Sequence, residues 1–204
     1  MLYRWLRDLH LYFGLFISPF LLLFAASVFY LNHGKLVAGA EAPVETYRDL
    51  VVPDGFDRLK GREAVDRAAA ILPQLHVSGE IGYLRYVAKD RHVIFPVSKA
   101  GSEATVDVDL DARTATVKRR SMNVMESLSY LHKMPGPHNV AIRGNWIGTV
   151  IWRLFADATI YLLLFISLSG VYLWFALKAE RRIGFAVLTA GALTFAGLVY
   201  AVIR

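Results

Sequence analysis

The sequence predicts an α-helical membrane protein with three transmembrane helices and one small α+β domain, a helix on an antiparallel sheet, placed after the first helix. Three observations carry this expectation. Apolar runs occupy Leu11–Leu31, Thr159–Ala176 and Ile183–Ile203, and a helix needs about 20 such residues to cross a hydrocarbon core. Residues 36–120 turn polar and hold no run of that length. Hydrophobic residues make up 55% of the 204-residue chain at a mean hydropathy of +0.40, high for a soluble domain and low for a chain lying wholly in lipid.

Residues 1–35 form the first span. Arg4 and Arg7 precede the apolar run and only Lys35 follows closely, so the positive-inside rule puts the N-terminus in the cytoplasm. A cleaved signal peptide is the rival, with Ala38-Gly39-Ala40 as its site; the run exceeds the ~7–15 residues of an ordinary signal core. Ser18-Pro19 predicts a kink, because proline removes a backbone donor and crowds the preceding turn.

Residues 36–120 are then a periplasmic domain. Residues 42–61 read as irregular. Over Arg62–Leu72, Val65, Ala68, Ala69 and Leu72 recur at helical spacing until Pro73 stops the helix. Four β-rich runs follow, Ile81–Ala88, His92–Ser98, Thr105–Leu110 and Thr114–Lys118, separated by turn signals such as Lys89-Asp90 and Ala100-Gly101-Ser102. Asp107 and Asp109 alternate with valines, and no further acidic ligands stand at calcium-site spacing, so they read as a solvated strand face. His76 and His92 read as surface histidines.

Residues 121–145 form an interfacial helix and loop. Asn123 and Glu126 have capping-box spacing, and Met125, Leu128 and His132 share one face, which aims His132 at apolar surroundings. That imidazole is either a core histidine bonded to a carbonyl or a sheltered metal ligand. Pro135-Gly136-Pro137 ends the helix ahead of His138. Residues 146–178 hold the second span, with Arg153 and Asp157 one turn apart near the outer interface. They either neutralise one another or leave Arg153, with Arg143, to pair with an anionic cofactor group such as a haem propionate. Lys178, Arg181 and Arg182 make a basic inner turn before the third span, residues 183–204. There Ala186, Ala190, Thr194, Gly197 and Ala201 form a small-residue stripe that permits close helix approach.

Several functions are excluded. The net charge is +6, but the basic residues are scattered and no nucleic-acid motif occurs, so no nucleic-acid partner is expected. The absence of cysteine removes disulfides, iron–sulfur ligation, thiolate catalysis and covalent c-type haem. Without a G-x-G-x-x-G after a strand, a P-loop or an H-E-x-x-H, the chain has no flavin, nicotinamide or zinc-protease site of its own.

Arg7-Asp8-Leu9-His10-Leu11-Tyr12-Phe13-Gly14 resembles the L-H-R-W-x-G opening of PepSY-associated transmembrane proteins. Leu131-His132-Lys133 followed by Leu168-Ser169-Gly170-Val171-Tyr172-Leu173-Trp174 resembles their second-span signature, L-H-K … L-[ST]-G-[VIL]-Y-L-W, and the helix-then-strands segment is similar to the PepSY fold. The resemblance implies a bacterial inner-membrane protein, a half-length relative of haem-containing ferric-siderophore reductases. Those relatives carry four spans and two modules, and a histidine where this chain has Arg181-Arg182-Ile183-Gly184.

A b-type haem needs one or two neutral imidazoles at its iron. His33 and His132, both at the outer surface, are the expected axial pair, with His138 as substitute for either. His10 lies ~34 Å from His33 along a helix, so an inner haem would need His10 from two subunits of a homodimer. Electrons would come from membrane quinol or a partner protein and pass to ferric iron or a ferric siderophore. The alternative is a non-catalytic membrane-anchored PepSY module that binds a periplasmic protein or assists an iron-uptake system.

Overall fold

A computed structural model describes residues 1–33, 44–53, 60–134, 138–177 and 180–204. Lys35, Ala38-Gly39-Ala40, Pro135-Gly136-Pro137 and Lys178 lie outside them, as does part of the stretch read as irregular. The described chain contains three helices long and apolar enough to cross a membrane: α1 (Leu2–His33), α4 (Ile147–Leu177) and α5 (Arg181–Ile203), with mean hydropathy 2.1, 2.1 and 2.0 in their most apolar windows. Helix α1 runs without a break through Pro19. Between α1 and α4 come β1 (Glu45–Tyr47), α2 (Gly61–Ile71), β2 (Glu80–Ile81), β3 (Arg85–Val87), β4 (His92–Lys99), β5 (Ser102–Asp109), β6 (Thr114–Ser121) and α3 (Val124–Lys133).

The chain divides into two compact units, Met1–Pro19 with Asp157–Arg204, and Phe20–Ala156. In the first, the Phe13 and Phe165 rings meet edge-on at 5.4 Å. The Trp174 indole lies so close to Gly184 that any Cβ there would overlap it. No residue of α5 is buried, which suits a helix whose side chains face lipid.

The second unit holds the antiparallel sheet, ordered β1-β6-β5-β4-β2, with β3 also on β4. Strict alternation puts Val93, Phe95, Val97, Ala104, Val106, Val108, Ala115 and Val117 on one face. That face forms a single core with Val65, Ala68 and Ile71 of α2 and with Leu72 and Leu75. Pro73 ends α2 as expected, yet the chain continues as a 3-10 turn over Leu72–Leu75, because proline is tolerated in a first helical turn where its N–H has no partner to find.

Three expectations need correction. The short β1, which pairs with β6 through Glu45↔Val117 and Tyr47↔Ala115, lies in the stretch read as irregular. The run Ile81–Ala88 is not one strand. Ile81 pairs with Val97 and Arg85 with Ile94, so three residues, Gly82-Tyr83-Leu84, oppose two, Phe95-Pro96. That is a β-bulge. Its cause is Pro96, whose carbonyl accepts from Gly82 N–H at 3.0 Å but which has no N–H to return to this strand. Finally, α3 buries Glu126 and Ser129 rather than the Met125–Leu128–His132 row. The capping box holds as read, with Asn123 Oδ1 accepting from Glu126 N–H at 2.9 Å and Glu126 Oε2 from Asn123 N–H at 3.0 Å.

Candidate functional site

The four candidate histidines fall in different surroundings. His10, on α1, has Nδ1 2.8 Å from Ser169 Oγ of α4. Ser169 is buried and its hydroxyl donates to Ile166 O at 3.2 Å. A hydroxyl has one hydrogen, so Ser169 can donate to only one of the two, the Ile166 carbonyl or His10 Nδ1. Gly170 permits the approach, since a Cβ there would stand 3.3 Å from His10 Cε1. Two of the stretches that carry the sequence resemblance, at Leu9-His10 and Ser169-Gly170, thus meet in one unit.

His132 repeats this arrangement in the other unit. Its Nδ1 lies 3.4 Å from Ser27 Oγ, which donates to Phe24 O at 2.8 Å. The Phe24 ring meets the imidazole edge-on at 5.3 Å, and Trp152 Nε1 donates to Leu131 O at 3.1 Å. His132 is nonetheless solvent-exposed, so its surroundings are only partly the apolar ones expected.

His33 does not join His132. It stacks on Phe29 at 4.6 Å, and its Nδ1–H donates to Phe29 O at 3.2 Å within the same helix. At ~100° per residue, position 33 lies about 180° round α1 from Phe24 and about 240° from Ser27, the residues that touch His132. His33 and His132 thus have separate partners, Phe29 for the one and Ser27 with Phe24 for the other. His138 is exposed on the sheet domain, Arg143 is half-buried just before α4, and Arg153 is exposed on α4. Among the described residues no three His, Asp or Glu side chains assemble to hold a metal ion.

Sequence reasoning passed over the concave surface built on the bulge. Gly82, Tyr83 and His138 line two neighbouring cavities of about 290 and 510 Å³. The smaller opens between the outer sheet face and α3, with Glu80, Glu103 and Tyr130 in its wall. The larger is bounded by Lys60 and Val65 of the α2 side and by Ile142. Tyr83, splayed outward by the extra residue, is 58% exposed between them.

This surface is tied to the start of α4. Asn145 acts as a substitute strand for the free edge of β2, accepting from Ile81 N–H and donating to Ile81 O, each at 2.9 Å. Its amide also donates to Ile142 O at 2.9 Å, and Gly144 N–H donates to Glu80 Oε1 at 2.7 Å. On the outer face His92 is not a free surface histidine, because its Nδ1–H donates to Asp107 Oδ1 at 2.8 Å and its Nε2 stands 3.6 Å from Asp109.

Residues 3–204 match the family model described as "Putative PepSY_TM-like". No curated protein and no solved structure matches the chain.

Proposed function

The chain belongs to the PepSY_TM-like family, and from that premise we propose that it is a membrane-anchored PepSY module whose sheet domain binds a segment of a partner protein on the periplasmic side. The observation that carries this reading is the two-cavity surface divided by the Gly82–Leu84 bulge, with Tyr83 exposed at its centre. Bulges re-aim side chains and interrupt pairing next to binding sites, and a concave surface with a few converging polar groups is the ordinary form of such a site. The latch through Asn145 and Gly144 means that a partner seated there would press on residues directly continuous with α4.

The test is a photoactivatable side chain placed at Tyr83 of the intact protein in living cells, with a second at Asp111 in the β5–β6 turn as control. One adduct of defined mass at position 83 and none at 111 is the expected result. Equal labelling at both positions, or none at 83, overturns the reading.

A second reading, haem binding with transfer of electrons to ferric iron or a ferric siderophore, has one observation in its favour. His10 and His132 each have Nδ1 beside a serine hydroxyl, a contact that orients the ring and turns Nε2, a nitrogen able to ligate a metal, away from the serine. Haem would supply the one-electron chemistry, and Arg143 and Arg153 would be its propionate partners. Reduced-minus-oxidised spectra of the gently purified protein, repeated with His10→Ala and His132→Ala, decide it. Bands lost stepwise in the two variants support the haem, and a parent without bands removes it.

A further inference from the structure

Resting on the module reading, we propose that the cavity beside the bulge is a recognition site for a cationic nitrogen group, a guanidinium or a primary ammonium, with Glu80 as its buried anionic acceptor. The sheet register puts Glu80, Ser98, Glu103 and Arg120 in one row across β2, β4, β5 and β6. Within that row Glu103 has a guanidinium, with Arg120 Nη2 3.6 Å from Glu103 Oε2. The same arginine reaches Glu126 at 3.2 Å, so Arg120 serves two carboxylates at one end of the row.

Glu80, at the other end, has no such partner. It is 3% exposed, its Oε1 accepts from Gly144 N–H at 2.7 Å, and its Oε2 is buried without a hydrogen bond. Among the described residues it forms no ion pair. A buried carboxylate with one oxygen unsatisfied is costly unless a cation or donor meets it, and Glu80 lines a cavity of about 290 Å³ into which such a group would fit.

The walls agree with this chemistry. Tyr83 and Tyr130 supply aromatic surface, against which cations are attracted by the ring quadrupole. Burial, and then the negative field of Glu80 and Glu103, raises the Tyr130 phenol above its ordinary value. Lys133 also lines the cavity, and its charge opposes a cationic ligand. It is exposed and free to withdraw into solvent. A guanidinium bound at Glu80 would repeat, from outside the chain, what Arg120 does for Glu103.

The experiment uses the full chain in lipid nanodiscs, titrated calorimetrically with an acetyl-Gly-Arg-Gly amide peptide, its citrulline counterpart and putrescine. The arginine peptide is expected to bind at least about tenfold tighter than the citrulline peptide, as a charge-assisted bond to a buried partner requires. Glu80→Gln keeps an acceptor for Gly144 N–H and so preserves the fold, which its melting temperature checks; it is expected to erase the preference. Lys133→Gln is expected to tighten binding a few-fold. Putrescine binding as well as the arginine peptide points to a free amine, and binding of the peptide alone points to a partner's side chain; both support the site. Equal binding of the arginine and citrulline peptides, an unchanged preference in Glu80→Gln, or no binding of any probe overturns it. Equal binding of the two peptides that Tyr83→Ala weakens would leave the module reading standing, as would a position-83 adduct in cells.

Discussion

His92 spans two carboxylates on the outer sheet face, and this geometry makes a pH-dependent contribution to stability whose sign can be worked out. The Nδ1–H bond to Asp107, helped by the charges of Asp107, Asp109 and Asp90, raises the His92 value above that of a free imidazole despite partial burial. A raised value means that the stabilisation is fully present below the unfolded value of ~6.5 and is lost as pH rises through the folded one. Asp109 runs the other way. Hydrogen bonds from Ala112 and Asp111 backbone N–H, and the nearby His92, lower its value, so its contribution is present above the ordinary carboxylate range and lost as pH falls through the folded value. The melting temperature is therefore expected to decline between about pH 6 and pH 8, and Asp107→Asn should flatten that slope. A slope unchanged in Asp107→Asn would mean that His92 is not its source. This contact was readable in advance. A two-residue turn at Ala100-Gly101 puts His92 opposite Asp109, and reading His92 as a free surface group ignored that register. The same holds for His33, whose place on α1 opposite the Phe24–Ser27 face follows from counting residues around the helix. By contrast, the serine partners of His10 and His132 depend on how helices pair, which hydropathy leaves open.

At the scale of elements, periodic segments with strong local signals were legible and interrupted ones were not. Helix α3 starts where Asn123 and Glu126 required, and Asn123→Ala is expected to cost about 1 kcal/mol through loss of its capping bond, measurable as a fall in melting temperature. The core strands β4, β5 and β6 followed from alternation, and Phe95, wholly buried, is the residue on which they converge. Phe95→Ala is expected to cost about 3–5 kcal/mol and to unfold the domain at moderate denaturant. The strand at Ile81–Ala88 was misread because its hydrophobic pattern continues across the bulge, while the signal for the break, Pro96, sits in the neighbouring strand. Glu80 went unnoticed for the same reason: its place in a row with Ser98, Glu103 and Arg120 exists only once β2 is registered on β4. Gly79 sets that register. Its φ of +150° and the 2.7 Å from a would-be Cβ to Ser98 O leave no room for a side chain, so Gly79→Ala should displace β2. Asn145→Ala should loosen the same edge from outside by removing three hydrogen bonds, at about 1–3 kcal/mol for buried groups left unpaired. If Asn145 is the latch, amide exchange at Ile81 accelerates in Asn145→Ala while exchange at Val106, in the middle of the sheet, does not.

For the whole molecule, the spans were the most legible feature, because length and apolarity alone decide whether a helix can cross a bilayer. Orientation is a finer matter and rests on four arginines. Arg4 and Arg7 begin α1, and Arg181 and Arg182 begin α5, so both clusters belong on one side of a membrane crossed an even number of times between them. Arg181 is held at that turn, donating to Phe175 O at 3.1 Å with its guanidinium 4.7 Å from the Phe175 ring centroid. The arrangement expected from the positive-inside rule has both clusters in the cytoplasm and the sheet domain, which follows α1, in the periplasm. The absence of native cysteine makes this directly measurable with single-cysteine variants. In intact spheroplasts a membrane-impermeant maleimide should label Asp111→Cys in the sheet domain and spare Arg4→Cys, which should react only after the membrane is opened. Asp111 lies in an exposed turn, where its carboxylate meets Arg91 at 2.9 Å, and a surface pair of that kind contributes about 1 kcal/mol at most, so its replacement tests topology rather than folding. The opposite labelling pattern would place the Glu80 cavity in the cytoplasm and with it any partner, and the periplasmic assignment would fall while the chemistry of the cavity stood.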